Sequence, residues 1–285
     1  MLKSILVSSL LLTCLVLVGQ SSTSGYIKSG DDSIFYETAG SGNAIILIHD
    51  GLLHREVWND QFSFFSKDFQ VIRYDRRGYG KSSPATGSYT HQDDLKSLYE
   101  QLKIDSAILV ACSSGGALAI DFTIDNPQMV NGLVLVGAIV RGFPYTSHMR
   151  NRGGHLPDSF ENELAELIYY ATDDPYNIYS KNTEAKKKAV DMLQSYPKRV
   201  VTRQKFTRQQ TPTYRRLNEI NTPTLVLIGE FDIPDVHAHA GAINAGISHS
   251  RRLIIPESGH LIPLEQPELF NEAVMNFISN NITFR

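Results

Sequence analysis

The chain has 285 residues, 42% hydrophobic and 20% charged, with a formal net charge of -3. That composition excludes collagen-like, low-complexity and wholly disordered readings and provides apolar material for one large domain or two modest ones. The mild acidity gives no general reason to expect nucleic acid or an anionic membrane as a partner, and two cysteines, Cys14 and Cys112, cannot build a disulfide framework or a metal cluster.

The N-terminus has the three-part layout of a secretory signal over residues 1–24: Lys3, an apolar run from Ile5 to Val18, and the small, polar stretch Gly19 to Gly25. The run is short of the ~20 residues a membrane span needs, and Thr13 is larger than a lipoprotein signal places before its cysteine. Cleavage between Gly19 and Ser24 is expected, giving a secreted or periplasmic protein without a stable membrane span. Cys14 then leaves with the signal, and no disulfide is possible within the mature chain.

Strands and helices alternate from Gly25 onward. Tyr26–Lys28 and Ser33–Thr38, joined by Gly30-Asp31-Asp32, read as an antiparallel hairpin. Ala44–Ile48 is short and uniformly apolar, the signature of a strand buried on both faces, and Phe69–Tyr74, Ala107–Ala111, Leu133–Val136, Thr224–Ile228 and Arg252–Ile255 continue the series. Helical periodicity falls on Gln92–Leu102, Gly115–Asp125, Val236–Ala245 and Pro267–Asn280. Each parallel connection must cross over the sheet, so the alternation predicts an α/β fold with a mostly parallel, doubly wound sheet.

The rhythm breaks between Arg141 and Ile220, where no run has strand character and Glu161–Tyr170, Glu184–Ser195 and Pro197–Arg208 look helical. An insertion of that length is too long for a plain loop and reads as a helical lid over residues 141–220, dividing the core into 25–140 and 221–285. The lid holds 14 Lys or Arg against 9 Asp or Glu, which solvated helix faces explain more simply than an anionic ligand does.

The sharpest chemical signal is Val110-Ala111-Cys112-Ser113-Ser114-Gly115-Gly116, between a buried strand and a helix. A nucleophilic serine needs a tight strand-to-helix turn with small neighbours two residues on either side. Ser113 satisfies this with Ala111 and Gly115, whereas a frame on Ser114 puts Cys112 and Gly116 there and is sterically poorer. The same turn also reads as an ordinary helix cap. After later strands come Gly229-Glu230-Phe231-Asp232 and Ser258-Gly259-His260, and after earlier ones His49-Asp50-Gly51-Leu52 and Asp75-Arg76-Arg77-Gly78-Tyr79-Gly80-Lys81-Ser82. All lie at the C-terminal edge of the predicted sheet, where parallel α/β folds build their sites. Asp235 is an alternative acid at a helix start. His49 and His54 read as hydrogen-bonded structural groups, and His237, His239 and His249 are too dispersed for a metal. Trp58, Phe143, Tyr145, Tyr169, Tyr170, Tyr176 and Tyr179 are candidates for an apolar pocket wall.

Over essentially its whole mature length the sequence resembles the α/β-hydrolase family, in its lidded members. The resemblance rests on the histidine-led loop, the D-x-R-G-x-G-x-S loop, the nucleophile elbow, the G-x-x-D loop and the Gly-His followed by Glu265-Gln266-Pro267. It departs at Ala111 and at Asp50, each where glycine is usual, and Asp50 brings negative charge toward the oxyanion region. The resemblance implies that Ser113 attacks a carbonyl carbon, that His260 takes its proton and that Asp232 holds the histidine. It also implies that the backbone N–H groups of Gly51 and Ser114 hold the oxyanion. A small-molecule carboxylic ester, lactone or thioester is the implied substrate, with no cofactor, no metal and no nucleic-acid partner. Carbon–carbon bond hydrolysis, cofactor-free perhydrolysis and a non-catalytic binding or receptor role on the same fold are the alternatives.

Overall fold

The computed structural model describes residues 22–196 and 212–283. The expected export signal up to residue 21 and the expected helix Pro197–Arg208 lie outside the described residues. Eight strands are present among them: β1 (Thr23–Ser29), β2 (Asp32–Ala39), β3 (Ala44–Ile48), β4 (Gln70–Tyr74), β5 (Ala107–Cys112), β6 (Val130–Val136), β7 (Thr224–Gly229) and β8 (Ser250–Ile255). The helices are α1 (Asn59–Phe65), α2 (His91–Leu102), α3 (Ser114–Asp125), α4 (Ser147–Asn151), α5 (Glu163–Thr172), α6 (Thr183–Ser195), α7 (Pro234–Gly246), α8 (Ile262–Glu265) and α9 (Pro267–Asn281). No helix among the described residues is long and apolar enough to cross a membrane.

The strands form one sheet in the order β1-β2-β4-β3-β5-β6-β7-β8. The hairpin of β1 and β2 is antiparallel and turns through Gly30 and Asp31, and β2 pairs antiparallel with β4. From β4 to β8 every pairing is parallel. The chain runs from β3 to β4 on one side and then crosses to β5 on the other. The switch in winding therefore falls between β3 and β5, where a parallel α/β sheet opens a crevice at its C-terminal edge.

The uniformly apolar runs are explained by two covered faces. In β3 and β5, Ile46, Ile48, Leu109 and Ala111 pack on one face with Leu95, Leu98, Leu118, Phe122 and Val236 of α2, α3 and α7. Ile45, Leu47, Ile108 and Val110 pack on the other with Phe62, Phe65, Phe270 and Val274 of α1 and α9. β8 differs from the central strands: it is the sheet's edge, and its residue Ile254 is 54% exposed. Cys112, at the end of β5, is a free, fully buried thiol.

Between β6 and β7 the described residues contain helices and turns but no strand, with α5 packed on α6. The loops ending β7 and β8 meet this region at the sheet edge. Gly229 lies so close to the next loop that a Cβ there would be 1.9 Å from Gly259 O, so only glycine fits. Glu265, at the end of α8, ties the same loop to the segment before α6: its carboxylate accepts Gly259 N at 3.0 Å and Tyr179 N at 2.7 Å. Burial nonetheless pushes the Glu265 carboxyl up to about 7, against the pull of those N–H donors.

Two stability predictions follow from this edge. Gly229→Ala is expected to lower the unfolding free energy by about 1–3 kcal/mol in urea titration, the usual range for overpacking a rigid site. Glu265 has a folded-state pKa raised above its ordinary value of 4.5, so its contribution is present in acid and lost as pH rises through about 7. Relative to Glu265→Gln, the wild-type protein is therefore expected to lose stability between acid and mildly alkaline pH. Parallel pH profiles for the two proteins, a constant offset included, would contradict this.

Candidate active site

The chain passes from β5 into α3 through Ser113, whose backbone lies at φ +54° and ψ -118°. A non-glycine residue in that region costs about 1–3 kcal/mol, so the surroundings must hold it there. Ser113 N donates to Val136 O at 2.9 Å, and Ser113 O accepts Ala117 N at 3.2 Å. Gly115 allows the turn to approach β3: a Cβ there would sit 2.5 Å from His49 O. Although Ser113 occupies the N-cap position of α3, its side chain makes no capping hydrogen bond. The helix-cap reading of this serine therefore fails. The neighbouring hydroxyl of Ser114 accepts a hydrogen bond from Arg76 Nη1 at 2.9 Å, which engages the serine of the alternative frame.

Asp232 and His260 follow β7 and β8, and their side chains meet. His260 Nδ1 lies 2.9 Å from Asp232 Oδ2 and 3.0 Å from Oδ1, while Ile233 N donates to Oδ1 at 2.7 Å. Burial alone would push the imidazole down, but the charge of Asp232 and its hydrogen bond outweigh this and hold His260 above its ordinary value of 6.5. Asp235 is engaged elsewhere, accepting Thr146 N at 2.6 Å and Thr146 Oγ1 at 2.8 Å. The His260 backbone is fixed by residues between α5 and α6: its N–H lies 2.9 Å from Tyr176 O and 3.0 Å from Asn177 O.

His49 is a structural group. Its Nε2 accepts Arg76 N at 2.9 Å, its Nδ1 donates to Asp50 O at 2.7 Å, and burial keeps the ring neutral by lowering its pKa well below the ordinary value. His54 likewise caps a 3-10 turn, Arg55–Trp58, and reaches Met192 O at 3.2 Å. Asp75 organises the following loop by accepting Arg55 N at 3.0 Å, Arg55 Nη1 at 2.8 Å and Lys81 N at 2.9 Å. Arg77 is buried in ion pairs with Asp32 and Asp94. Asp50 turns its own loop: Oδ1 accepts Leu52 N and Leu53 N, and Oδ2 has no hydrogen-bond partner among the described residues.

A cavity of about 750 Å³ is bounded by Ser113, His260, Asp50 and Gly51 from the sheet edge and by Arg152, Glu166 and Tyr170 from the helices above. A slightly larger cleft, about 810 Å³, lies between α1, α6 and α9 and includes none of Ser113, Asp232 and His260. Convergent reactive groups, not size, identify the candidate site. Of the residues singled out from sequence, Ser113, Gly51 and His260 line this cavity and Asp232 stands behind His260. Ser114 opens α3 with its side chain on Arg76. Of the aromatic candidates, Tyr170 reaches the cavity. Trp58 is fully buried beside Phe270, Tyr179 stacks on Phe231, and Phe143 and Tyr145 pack on His239. Arg152, Glu163, Glu166 and Asn177 also line the cavity and carry no motif that would have marked them in advance.

Residues 43–267 match the model of the alpha/beta hydrolase fold family. The chain is 26% identical to a 2-hydroxy-6-oxo-6-phenylhexa-2,4-dienoate hydrolase of Comamonas testosteroni, over 87% of this chain and 92% of the relative. It is 27% identical to a 2-hydroxy-6-oxononadienedioate/2-hydroxy-6-oxononatrienedioate hydrolase of Paraburkholderia xenovorans, over 92% and 98%. Among solved structures, a thermophilic esterase of Thermogutta terrifontis superposes with a TM-score of 0.74 at 25% identity, covering 92% of this chain and all of that one. The chain belongs to the alpha/beta hydrolase fold family and is a hydrolase.

Proposed function

We propose that this hydrolase cleaves a small carboxylic ester or lactone through Ser113, His260 and Asp232 by way of an acyl-enzyme. The observation that carries the proposal is the pairing of a strained, uncapped Ser113 with an Asp232-bound His260 on the wall of one cavity. Because Nδ1 is committed to Asp232, Nε2 is the nitrogen left to accept the Ser113 proton as Oγ attacks the carbonyl carbon. The tetrahedral oxyanion would be held by the backbone N–H groups of Gly51 and Ser114. Loss of one such donor costs about 3 kcal/mol of transition-state stabilisation in comparable sites. His260 then protonates the leaving alkoxide, activates water against the acyl-enzyme, and returns the proton to Ser113 as the acid departs.

We also propose that the helices between β6 and β7 act as a lid that shapes substrate entry, and that the protein is exported after removal of its N-terminal segment. The first is supported by the cavity residues contributed from α5 and its flanks. The second is supported by Lys3 and the apolar run Ile5–Val18, and cleavage before Thr23 would leave β1 whole. A second reading, carbon–carbon bond hydrolysis on the same residues, is supported by the activities named for the Comamonas and Paraburkholderia relatives.

A panel of p-nitrophenyl esters and lactones, run beside a vinylogous 1,5-diketone, separates the two readings by kcat/KM. Ser113→Ala is expected to lower ester turnover about 10^4-fold or more and to abolish stoichiometric fluorophosphonate labelling. A folded wild-type protein that is not labelled would support a binding or receptor role instead. The base form of His260 is lost as pH falls through a pKa held above 6.5, so the rate should fall on the acid side of that value. Removing the charge that raises this pKa moves the acid limb to lower pH. Asp232→Asn should therefore shift the limb downward while cutting kcat about 10^3- to 10^4-fold; an unshifted limb would show that another group titrates.

A further inference from the structure

Arg76, in the loop after β4, is 5% exposed, and its side chain bonds to other loops. Arg55 and Arg77 pair with the buried carboxylates of Asp75, Asp32 and Asp94. Arg76 Nη1 instead donates to three neutral oxygens, His49 O and Asp50 O at 3.2 Å and Ser114 Oγ at 2.9 Å. That nitrogen carries two hydrogens, so at least one is shared between acceptors. The backbone N–H of Arg76 is a separate arm. It donates to His49 Nε2 at 2.9 Å, which leaves Nδ1 as the protonated nitrogen that donates to Asp50 O at 2.7 Å. Asp50 O thus receives both the imidazole and the guanidinium.

These acceptors belong to the peptides proposed to hold the oxyanion. Asp50 O and Gly51 N–H are opposite ends of one planar trans peptide, so donors that grip the oxygen fix the direction of the N–H. A cation at the carbonyl end also polarises the peptide and strengthens its N–H as a donor to developing negative charge. Tyr79 continues the support: its ring centroid lies 5.4 Å from the Arg76 guanidinium carbon, and its hydroxyl donates to Gly51 O at 3.3 Å. Through Ser114 Oγ the same guanidinium nitrogen reaches the residue that carries the second N–H. We infer that Arg76 is a positioning residue for the oxyanion, setting the spacing of the Gly51 and Ser114 N–H groups and backing them with positive charge. The inference rests on the hydrolase reading above and adds a residue of a third loop to the same site.

The test compares two ligands of equal chain length. With an alkyl trifluoromethyl ketone, Ser113 Oγ bonds to the carbonyl carbon, His260 takes the proton and the carbonyl oxygen becomes an oxyanion; the matching methyl ketone binds without that addition. Arg76→Met removes the guanidinium and keeps the backbone N–H that holds His49. Losing an oxyanion donor outright costs about 10^2- to 10^3-fold in kcat, so a residue acting through the donors is expected to cost less, about 10- to 100-fold in ester kcat/KM. Affinity for the trifluoromethyl ketone should fall by the same factor, while affinity for the methyl ketone changes by less than about threefold. Arg76→Lys keeps the charge and should recover about threefold or more of the loss. If Arg76→Met does not fold, Arg76→Lys and Ser114→Ala, which keeps its N–H, read the same ratio of affinities, each with a loss of about 3- to 10-fold. Loss of both affinities together would show that Arg76 maintains shape alone and would overturn the inference. So would a wild-type ratio in the folded variants of a protein whose Ser113 still labels with a fluorophosphonate, and that outcome leaves the hydrolase reading standing. A wild-type protein that neither labels nor forms the ketone adduct would sink both.

Discussion

The turn at Ser113 is the constraint on which the remaining geometry depends. A strand buried on both faces has to deliver the chain to a helix on one of them within a single residue, and the backbone does so at φ +54°. That conformation carries a local cost that the close-packed sheet offsets, because the amide of Ser113 is tied to Val136 O on the neighbouring strand. The turn also brings Gly115 against the His49 carbonyl. Contact between β3 and α3 at that point leaves no room for a side chain. Ser113, the candidate oxyanion loop and the start of α3 are therefore positioned by one packing event.

Around this turn, buried charges fix loops. Arg76 reaches the His49 and Asp50 carbonyls at 3.2 Å and Ser114 Oγ at 2.9 Å, which locks the second serine to the loop after β3. Asp75 holds Arg55 and Lys81 N, and a Cβ at Gly80 would fall 2.3 Å from its Oδ2. Desolvation opposes the attraction within a buried ion pair such as Asp75 with Arg55, so its net contribution to stability is small. Here the buried charges keep several loops at the sheet edge in one arrangement, while His260 and Asp232 stay in direct contact.

The sheet was legible because its strands are continuous apolar runs: Ala44–Ile48 is read from sequence with the same bounds that the structure gives β3. The triad candidates were legible because each follows such a run. Pairing of Asp232 with His260 could be anticipated from chain order, and the engagement of Asp235 by Thr146 could not, since Thr146 lies 89 residues away. The helix α1 was missed because Asn59–Phe65 is short and opens on a 3-10 turn without a sequence cap signal. Arg152, Glu166 and Asn177 were hidden for a different reason. They come from helices and turns whose placement over the sheet is set by tertiary packing, so no local spacing identifies which of their faces meets Ser113.

The central claim is that Ser113 is held in its strained turn to form a covalent acyl intermediate. Rapid-quench mass spectrometry of the mature protein mixed with a slowly deacylating ester tests it most directly. The predicted result is a transient mass increase equal to the acyl group, located on the peptide containing Ser113 and absent from Ser113→Ala. Turnover of the ester with no adduct at any quench time, or with the adduct on another residue, would contradict the account.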